Sequence, residues 1–311
     1  AASNAGLGPL TPSELTPPMN VPPVAWHGSG ELTAFSDVAQ AAGVRAGRPL
    51  SLTARMPTGV ANALRLAYAA SLHHLDEQIG RVVHALRRRR YANRTIVVAT
   101  ADHGFGMGTD GVWGKHHLFE AATRIPLYIQ MPHPVEAVHA GGGSSSYSES
   151  IDVFPTLALL ATGERVPSCS AGVDGGVCTA GQALVEEEVH TPTAAGGRRR
   201  VTVRAKPAAF VQHPAVPAGR AKRSPCLVSG HCVMGYGVAS SIEGHAYRFA
   251  EWAPLRRRHA GAWEVVWALA SGVELYNLSD GGERRNVAGA RGYEEVEARL
   301  WAAPEAAAAA P

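Results

Sequence analysis

Apolar residues recur every three or four positions from Leu64 to Leu86, through Tyr68, Leu72, Leu75, Ile79 and Val82, so one stripe of a helix is predicted to face a core. That helix closes on Arg87 to Arg90, where cations suit the carbonyl end of its dipole. Two apolar β-branched runs follow, Thr95 to Ala99 and Ile125 to Ile129, the pattern of strands buried on both faces. Helix, loop, strand, polar segment and strand together predict α/β alternation. Ligands of open α/β sheets sit beyond the carboxyl ends of strands, which draws attention to Asp102-His103, just past the first run. After a Gly-Ser linker at 141–147, a second helix is predicted through Ile151, Phe154, Leu157, Leu160 and Ala161, with Pro155 in its first turn and Gly163 ending it.

The two ends of the chain differ from this centre. Residues 1–60 carry Pro12, Pro17, Pro18, Pro22, Pro23 and Pro57 among Gly, Ser and Ala, and are expected to form an extended, surface-bound connection. Beyond Glu186 come short strand-like runs, Ala208 to Val211, Cys232 to Ser240, Tyr247 to Trp252, Trp263 to Leu269 and Glu274 to Leu278, then a helix near Tyr293 to Trp301. This predicts a small antiparallel sheet with one helix, followed by a frayed alanine-rich tail at 304–311. The expected divisions are 1–60, 61–185, 186–303 and 304–311.

With 311 residues, 46% hydrophobic and 18% charged, the chain can bury a core for one α/β domain plus a smaller one. A net charge of +3 gives a weak overall field and argues for no particular anionic partner. Arg87 to Arg90 lack interleaved aromatics and read as a solvated helix end, so no nucleic acid is expected. No apolar run reaches the roughly eighteen residues of a membrane span. The chain opens Ala-Ala-Ser with no signal-peptide pattern and is expected to be a processed or truncated product. Cys169 with Cys178, and Cys226 with Cys232, are two close pairs that suit short-loop disulfides. Zinc is the competing reading, but no spacing matches the two-to-four-residue knuckle. Asn93 and Asn277 head glycosylation sequons. Disulfides and sequons together point to secretion or to a lysosomal or other endomembrane lumen.

Adjacent Asp102 and His103 at the end of a strand, followed by Gly104, offer two ligands for a divalent cation; the plainer alternative is a capped loop with a structural imidazole. Gly106, Gly108, Gly111 and Gly114 keep the loop mobile or tight, and Lys115 supplies a point charge for an anion. A metal and a lysine in one pocket suit a phosphoryl or sulfuryl ester, whose charge must be offset during transfer. His116 and His117 are candidates to protonate a leaving oxygen, at least one of them being expected to pack or face solvent.

Ala-Thr-Ala-Asp102-His-Gly, then Gly-Val-Trp-Gly-Lys115-His-His, then Phe-Glu-Ala-Ala-Thr-Arg-Ile-Pro-Leu, in that order, resemble the sulfatase family of the alkaline-phosphatase superfamily. Leu75-Asp76 and Ile79-Gly80 of the preceding helix, Ser150-Ile-Asp-Val-Phe-Pro-Thr-Leu, Val273-Glu-Leu-Tyr-Asn-Leu-Ser-Asp and Arg285-Asn-Val-Ala extend the resemblance over roughly residues 60–301. Met234-Gly-Tyr-Gly, the pair Cys169 and Cys178, Val21-Pro-Pro-Val-Ala and the Asp-His pair look most like the iduronate-2-sulfatase branch. The resemblance implies an alkaline-phosphatase-like mixed sheet flanked by helices, incomplete N-terminally, with 61–185 as part of the catalytic domain. It also implies calcium held by Asp102 and His103, sulfate contacted by Lys115 with His116 beside it, and a sulfated sugar or glycosaminoglycan as substrate. Imidazole is an unusual partner for a hard cation, which makes Asp102 the firmer ligand.

The family's nucleophile is a formylglycine made from a Cys/Ser-x-Pro-x-Arg motif, which no cysteine or serine here supplies. Paired N-terminal aspartates and the Lys-x-His segment are also missing, so the chain alone is expected not to turn over and to need the N-terminal half of the enzyme. Truncation, cleavage into two chains and degeneration each account for this. Two other functions stay open: a zinc-dependent phosphatase or phosphodiesterase of the same superfamily, and a non-catalytic homologue binding sulfated glycan through Arg198 to Arg200 and Arg256 to Arg258.

Overall fold

A computed structural model describes residues 8–26, 31–48, 50, 55–132, 135–137, 146–169, 176–189, 199–215, 227–228, 231–257 and 263–308. Cys226, Arg198, Arg258 and the linker at 141–145 lie outside them, as do the side chains of Arg199 and Arg200. The helices are α1 (Ser36–Ala41), α2 (Thr58–Arg88), α3 (Glu120–Thr123), α4 (Val153–Thr162) and α5 (Glu294–Ala308). The strands up to the middle of the chain are β1 (Val97–Thr100), β2 (Gly106–Met107), β3 (Trp113–Gly114), β4 (Leu127–Gln130), β5 (Val135–Ala137), β6 (Val185–Val189) and β7 (Arg199–Val203). Those of the C-terminal part are β8 (Ala208–Pro214), β9 (Leu227–Val228), β10 (His231–Ile242), β11 (His245–Arg257), β12 (Trp263–Val265) and β13 (Gly272–Asn277).

The predicted C-terminal sheet forms from the expected runs. Its centre is the β10–β11 hairpin, flanked by β8 on one side and by β12 and β13 on the other, all antiparallel. Glu243 and Gly244 turn this hairpin at φ 52° and 83°, the doubly left-handed geometry of a two-residue loop whose twist matches its strands. One face packs Val238, Phe249 and Leu275 against Leu300 of α5. The other packs Val233, Ala250, Trp252 and Tyr276 against Val112, Leu118 and Phe119, the segment carrying the candidate chemistry. A separate three-stranded sheet places β5 parallel to β7 and β6 antiparallel to it, joining residues from both sides of position 186.

Several expectations are corrected. The runs at 95–99 and 125–129 form β1 and β4, which pair antiparallel with each other alone among the described residues. They are half-exposed, with Tyr128 67% exposed, because nothing described covers their faces. Helix α2 spans the predicted stretch and more, yet Leu72, Leu75, Ile79 and Val82 are exposed, so beyond its first turns the stripe faces no core among the described residues. Residues 1–60 are not a surface strap: Leu10, Leu15, Leu50 and Met56 are buried with Ala61 and Trp113, since the apolar side chains between the prolines fill the space beside the first turns of α2. Arg65, itself buried, ties these parts together by donating to the carbonyls of Gly8 and Met107, each at 2.8 Å. The alanine-rich end does not fray at once, because α5 continues to Ala308. Helix α4 ends as expected, with Gly163 at φ 78°.

Candidate active site

The loop after β1 turns back on the short hairpin β2–β3, and glycines set how tightly. Gly104 donates to the carbonyl of Ala122, and a Cβ there would lie 2.2 Å from the Ala121 oxygen, so only glycine lets the loop press on α3. Gly108, Gly111 and Gly114 take φ of 93°, 68° and 78° around the hairpin. Of the alternatives mobile and tight, the loop is therefore tight.

Asp102 and His103 stand together at the end of β1, with the Asp102 side chain 86% exposed. The His103 amide donates to Asp102 Oδ1 at 3.0 Å. Its Nδ1 lies 2.9 Å from the Gly104 carbonyl and its Nε2 3.4 Å from Asp102 Oδ2. The exposed carboxylate keeps lone pairs for a hard cation, whereas both imidazole nitrogens face internal oxygens, so the donor chemistry fits calcium at Asp102 better than at His103. A calcium shell takes six to eight oxygens, and no cluster of three or more His, Cys, Asp or Glu side chains suited to a metal occurs among the described residues.

Lys115 and His116 emerge from the end of β3 and converge on one carboxylate that sequence reasoning missed. Glu31 Oε1 lies 3.6 Å from Lys115 Nζ and 3.4 Å from His116 Nε2. The other oxygen, Oε2, is buried with no hydrogen-bond partner among the described residues; it rests against Gly114, where a Cβ would sit 3.1 Å away. His116 is tilted against His213 of β8, ring centroids 5.7 Å apart. Burial, with the neighbouring His116, lowers the His213 pKa and keeps that ring neutral, against a raising backbone hydrogen bond at Pro214. His117 is the packed member of the pair, 2% exposed, its Nε2 3.0 Å from the Gly114 carbonyl and its ring edge on Phe119. Glu31 and His213 carried no signal in the sequence, because neither sits in a motif and the fold alone brings them to Lys115.

Below this surface runs a buried charge network. Arg248 pairs with Glu274 and Glu283 and lies over the rings of Phe119 and Tyr276. Burial opposes its charge, but the two carboxylates outweigh burial and raise its pKa. Glu283 also accepts the Glu120 amide at 2.8 Å, fixing the start of α3. Burial pushes the Glu283 carboxyl up to about 7, against the pull of Arg248 and of that amide. Glu274 takes hydrogen bonds from Trp252 Nε1 and the Tyr276 hydroxyl, and Asn286 bridges Leu275, Ala288, Val273 and Asn20. The C-terminal motif is thus a structural clamp.

Cys169 and Cys178 form a disulfide, and Cys232 is disulfide-bonded. Asn93 is exposed, while Asn277 is half-buried and accepts the Ser279 amide at 3.1 Å. A cavity of about 320 Å³ at the C-terminal end of α2 is lined by Arg81, His84, Ala85, Arg88 and Arg89, none of them a candidate site residue. No described helix is long and apolar enough to cross a membrane.

Residues 30–163 match the family described as Sulfatase. Mouse iduronate 2-sulfatase is 31% identical over an alignment of 188 residues that covers 52% of this chain and 33% of that protein. The chain therefore spans about a third of the length of the curated relatives it matches. A structure described as a complex with its substrate D-glucosamine-2-N,6-O-disulfate superposes with a TM-score of 0.52 at 23% identity, covering 80% of this chain and 41% of the other. A phosphonate monoester hydrolase from Silicibacter pomeroyi gives a TM-score of 0.53 at 20% identity, covering 81% and 42%. At those identities the likeness concerns the fold, which is alkaline-phosphatase-like with only part of it present here. The stretch that matches the Sulfatase family, residues 30–163, carries both the Asp102-His103 loop and the Lys115 hairpin, and the relatives it resembles are sulfatases.

Proposed function

We propose that this chain forms the C-terminal wall of a sulfuric ester hydrolase acting on a sulfated sugar, of iduronate-2-sulfatase type. The carrying observation is that Lys115 and His116 leave one tight hairpin side by side and point their side-chain nitrogens at a common position, already taken by one carboxylate oxygen. Lys115 donates to a sulfate oxygen and offsets its charge, and His116 orients the ester or donates to its leaving oxygen. Asp102, with His103 beside it, would hold calcium, which when bound supplies further charge for the sulfate group. The attacking formylglycine comes from the N-terminal half of the enzyme. The exposed stripe of α2 from Leu72 to Val82 and the faces of β1 and β4, uncovered among the described residues, support such a partner, since two strands alone are marginally stable. The disulfide supports a secreted or endomembrane-lumenal setting.

The test is the complete gene product containing this chain, produced with formylglycine modification and assayed on 4-methylumbelliferyl iduronide 2-sulfate. Hydrolysis lost on calcium chelation is expected. Zinc-dependent hydrolysis of phosphate esters in its place would sink the reading. A proven full-length chain that binds heparin without hydrolysis would favour the non-catalytic homologue.

A further inference from the structure

Glu31 stands where it changes what Lys115 can bind. Its Oε1 lies within 3.6 Å of Lys115 Nζ and 3.4 Å of His116 Nε2, while its Oε2 is buried against Gly114 with no hydrogen-bond partner among the described residues. Glycine at 114, with φ 78°, leaves room for the carboxylate to lie flat against the backbone. The nearby His213 ring adds no charge. The local balance is thus one lysine against one carboxylate, close to neutral before any ligand arrives.

We propose that Glu31 is a charge-selectivity residue, which cancels the preference for dianionic over monoanionic esters that Lys115 alone would give the Lys115–His116 site. The proposal rests on the anion-site reading above and goes beyond it to the charge class of the ligand. The reason is electrostatic. A ligand oxygen bound to Lys115 comes within a few ångströms of Glu31, and repulsion grows in proportion to ligand charge. A sulfate ester carries one negative charge, whereas a phosphate monoester carries two above its second pKa. At about 4 Å in a water-like dielectric the carboxylate weakens a monoanion on the order of fivefold and a dianion on the order of thirtyfold. An isolated lysine would prefer the dianion; the Lys115–Glu31 pair removes that preference.

The test compares methyl sulfate with methyl phosphate at pH 8, using NMR titration of the His116 imidazole in the chain as it stands, in Glu31→Gln and in Lys115→Ala. Glutamine keeps the shape of a side chain that is 30% exposed, and Glu31→Ser serves if the first variant folds poorly. The expected result is that Glu31→Gln tightens methyl phosphate by about thirtyfold and methyl sulfate by about fivefold. Binding that Lys115→Ala abolishes but Glu31→Gln leaves unchanged, or changes equally for both anions, overturns the selectivity role and spares the anion site. No binding of either anion by any of the proteins overturns the site and this proposal with it.

Discussion

Gly104 shows how one missing side chain shapes the site. A Cβ at 2.2 Å from the Ala121 oxygen cannot be absorbed by a flexible neighbour, so Gly104→Ala should lift the loop off α3 and destabilise the fold by about 1–3 kcal/mol, measurable by urea denaturation. Glu283 makes a pH-dependent contribution of definite sign. Its carboxyl is raised from an ordinary 4.5 to about 7, so between those values the folded protein holds a proton that the unfolded chain has lost. Stability is greatest below about pH 4.5 for this group and falls as pH rises toward 7, by about 3 kcal/mol in all. Glu283→Gln should flatten that part of a melting-temperature-against-pH curve; an unchanged slope would locate the titration elsewhere. Asp102, His103 and Lys115 could be singled out in the sequence because the chemistry sits in short local motifs. Glu31, His213 and Glu283 could not, because their roles arise from tertiary neighbours far away along the chain.

Secondary structure was legible where periodicity was strong, and burial was not. The pattern of α2 gave its existence and its apolar stripe correctly, yet amphipathicity says only that a face suits burial and not that a partner is present in the same chain. Leu75→Ala or Ile79→Ala should therefore cost under about 0.5 kcal/mol in this chain, whereas Leu159→Ala, in the packed face of α4, should cost about 2–5 kcal/mol. Comparable losses at all three positions in chemical denaturation would mean that the α2 stripe is covered in solution. The strands β1 and β4 carry the same lesson: their apolar runs predicted two buried faces, while each has only the other as neighbour among the described residues. The prolines of the first 60 residues argued for an extended connection without helix or sheet, yet α1 (Ser36–Ala41) forms there. They concealed Leu10, Leu15, Leu50 and Met56, which pack as single anchors with no period to betray them.

At the scale of the molecule, the C-terminal sheet and the hairpin with Lys115 share one core through Phe119, Leu118 and Val112, so the proposed anion site rests on both parts of the chain. In the complete enzyme, Lys115→Ala should leave the fold intact and reduce kcat/KM by about two to three orders of magnitude, the typical effect of removing one charge-stabilising donor. Full activity of that variant on an aryl sulfate would remove Lys115 from the site. The order of motifs from Asp102 to Lys115, the β-rich C-terminal part and the lack of a nucleophile motif were fixed by local residue identity, so the sequence alone determined them. Tertiary structure alone decided that the N-terminal prolines bracket a core, that the α2 stripe from Leu72 to Val82 has no cover among the described residues, and that Glu31 lies on Lys115. Those outcomes depend on which distant surfaces meet, and no local pattern of residues encodes that meeting.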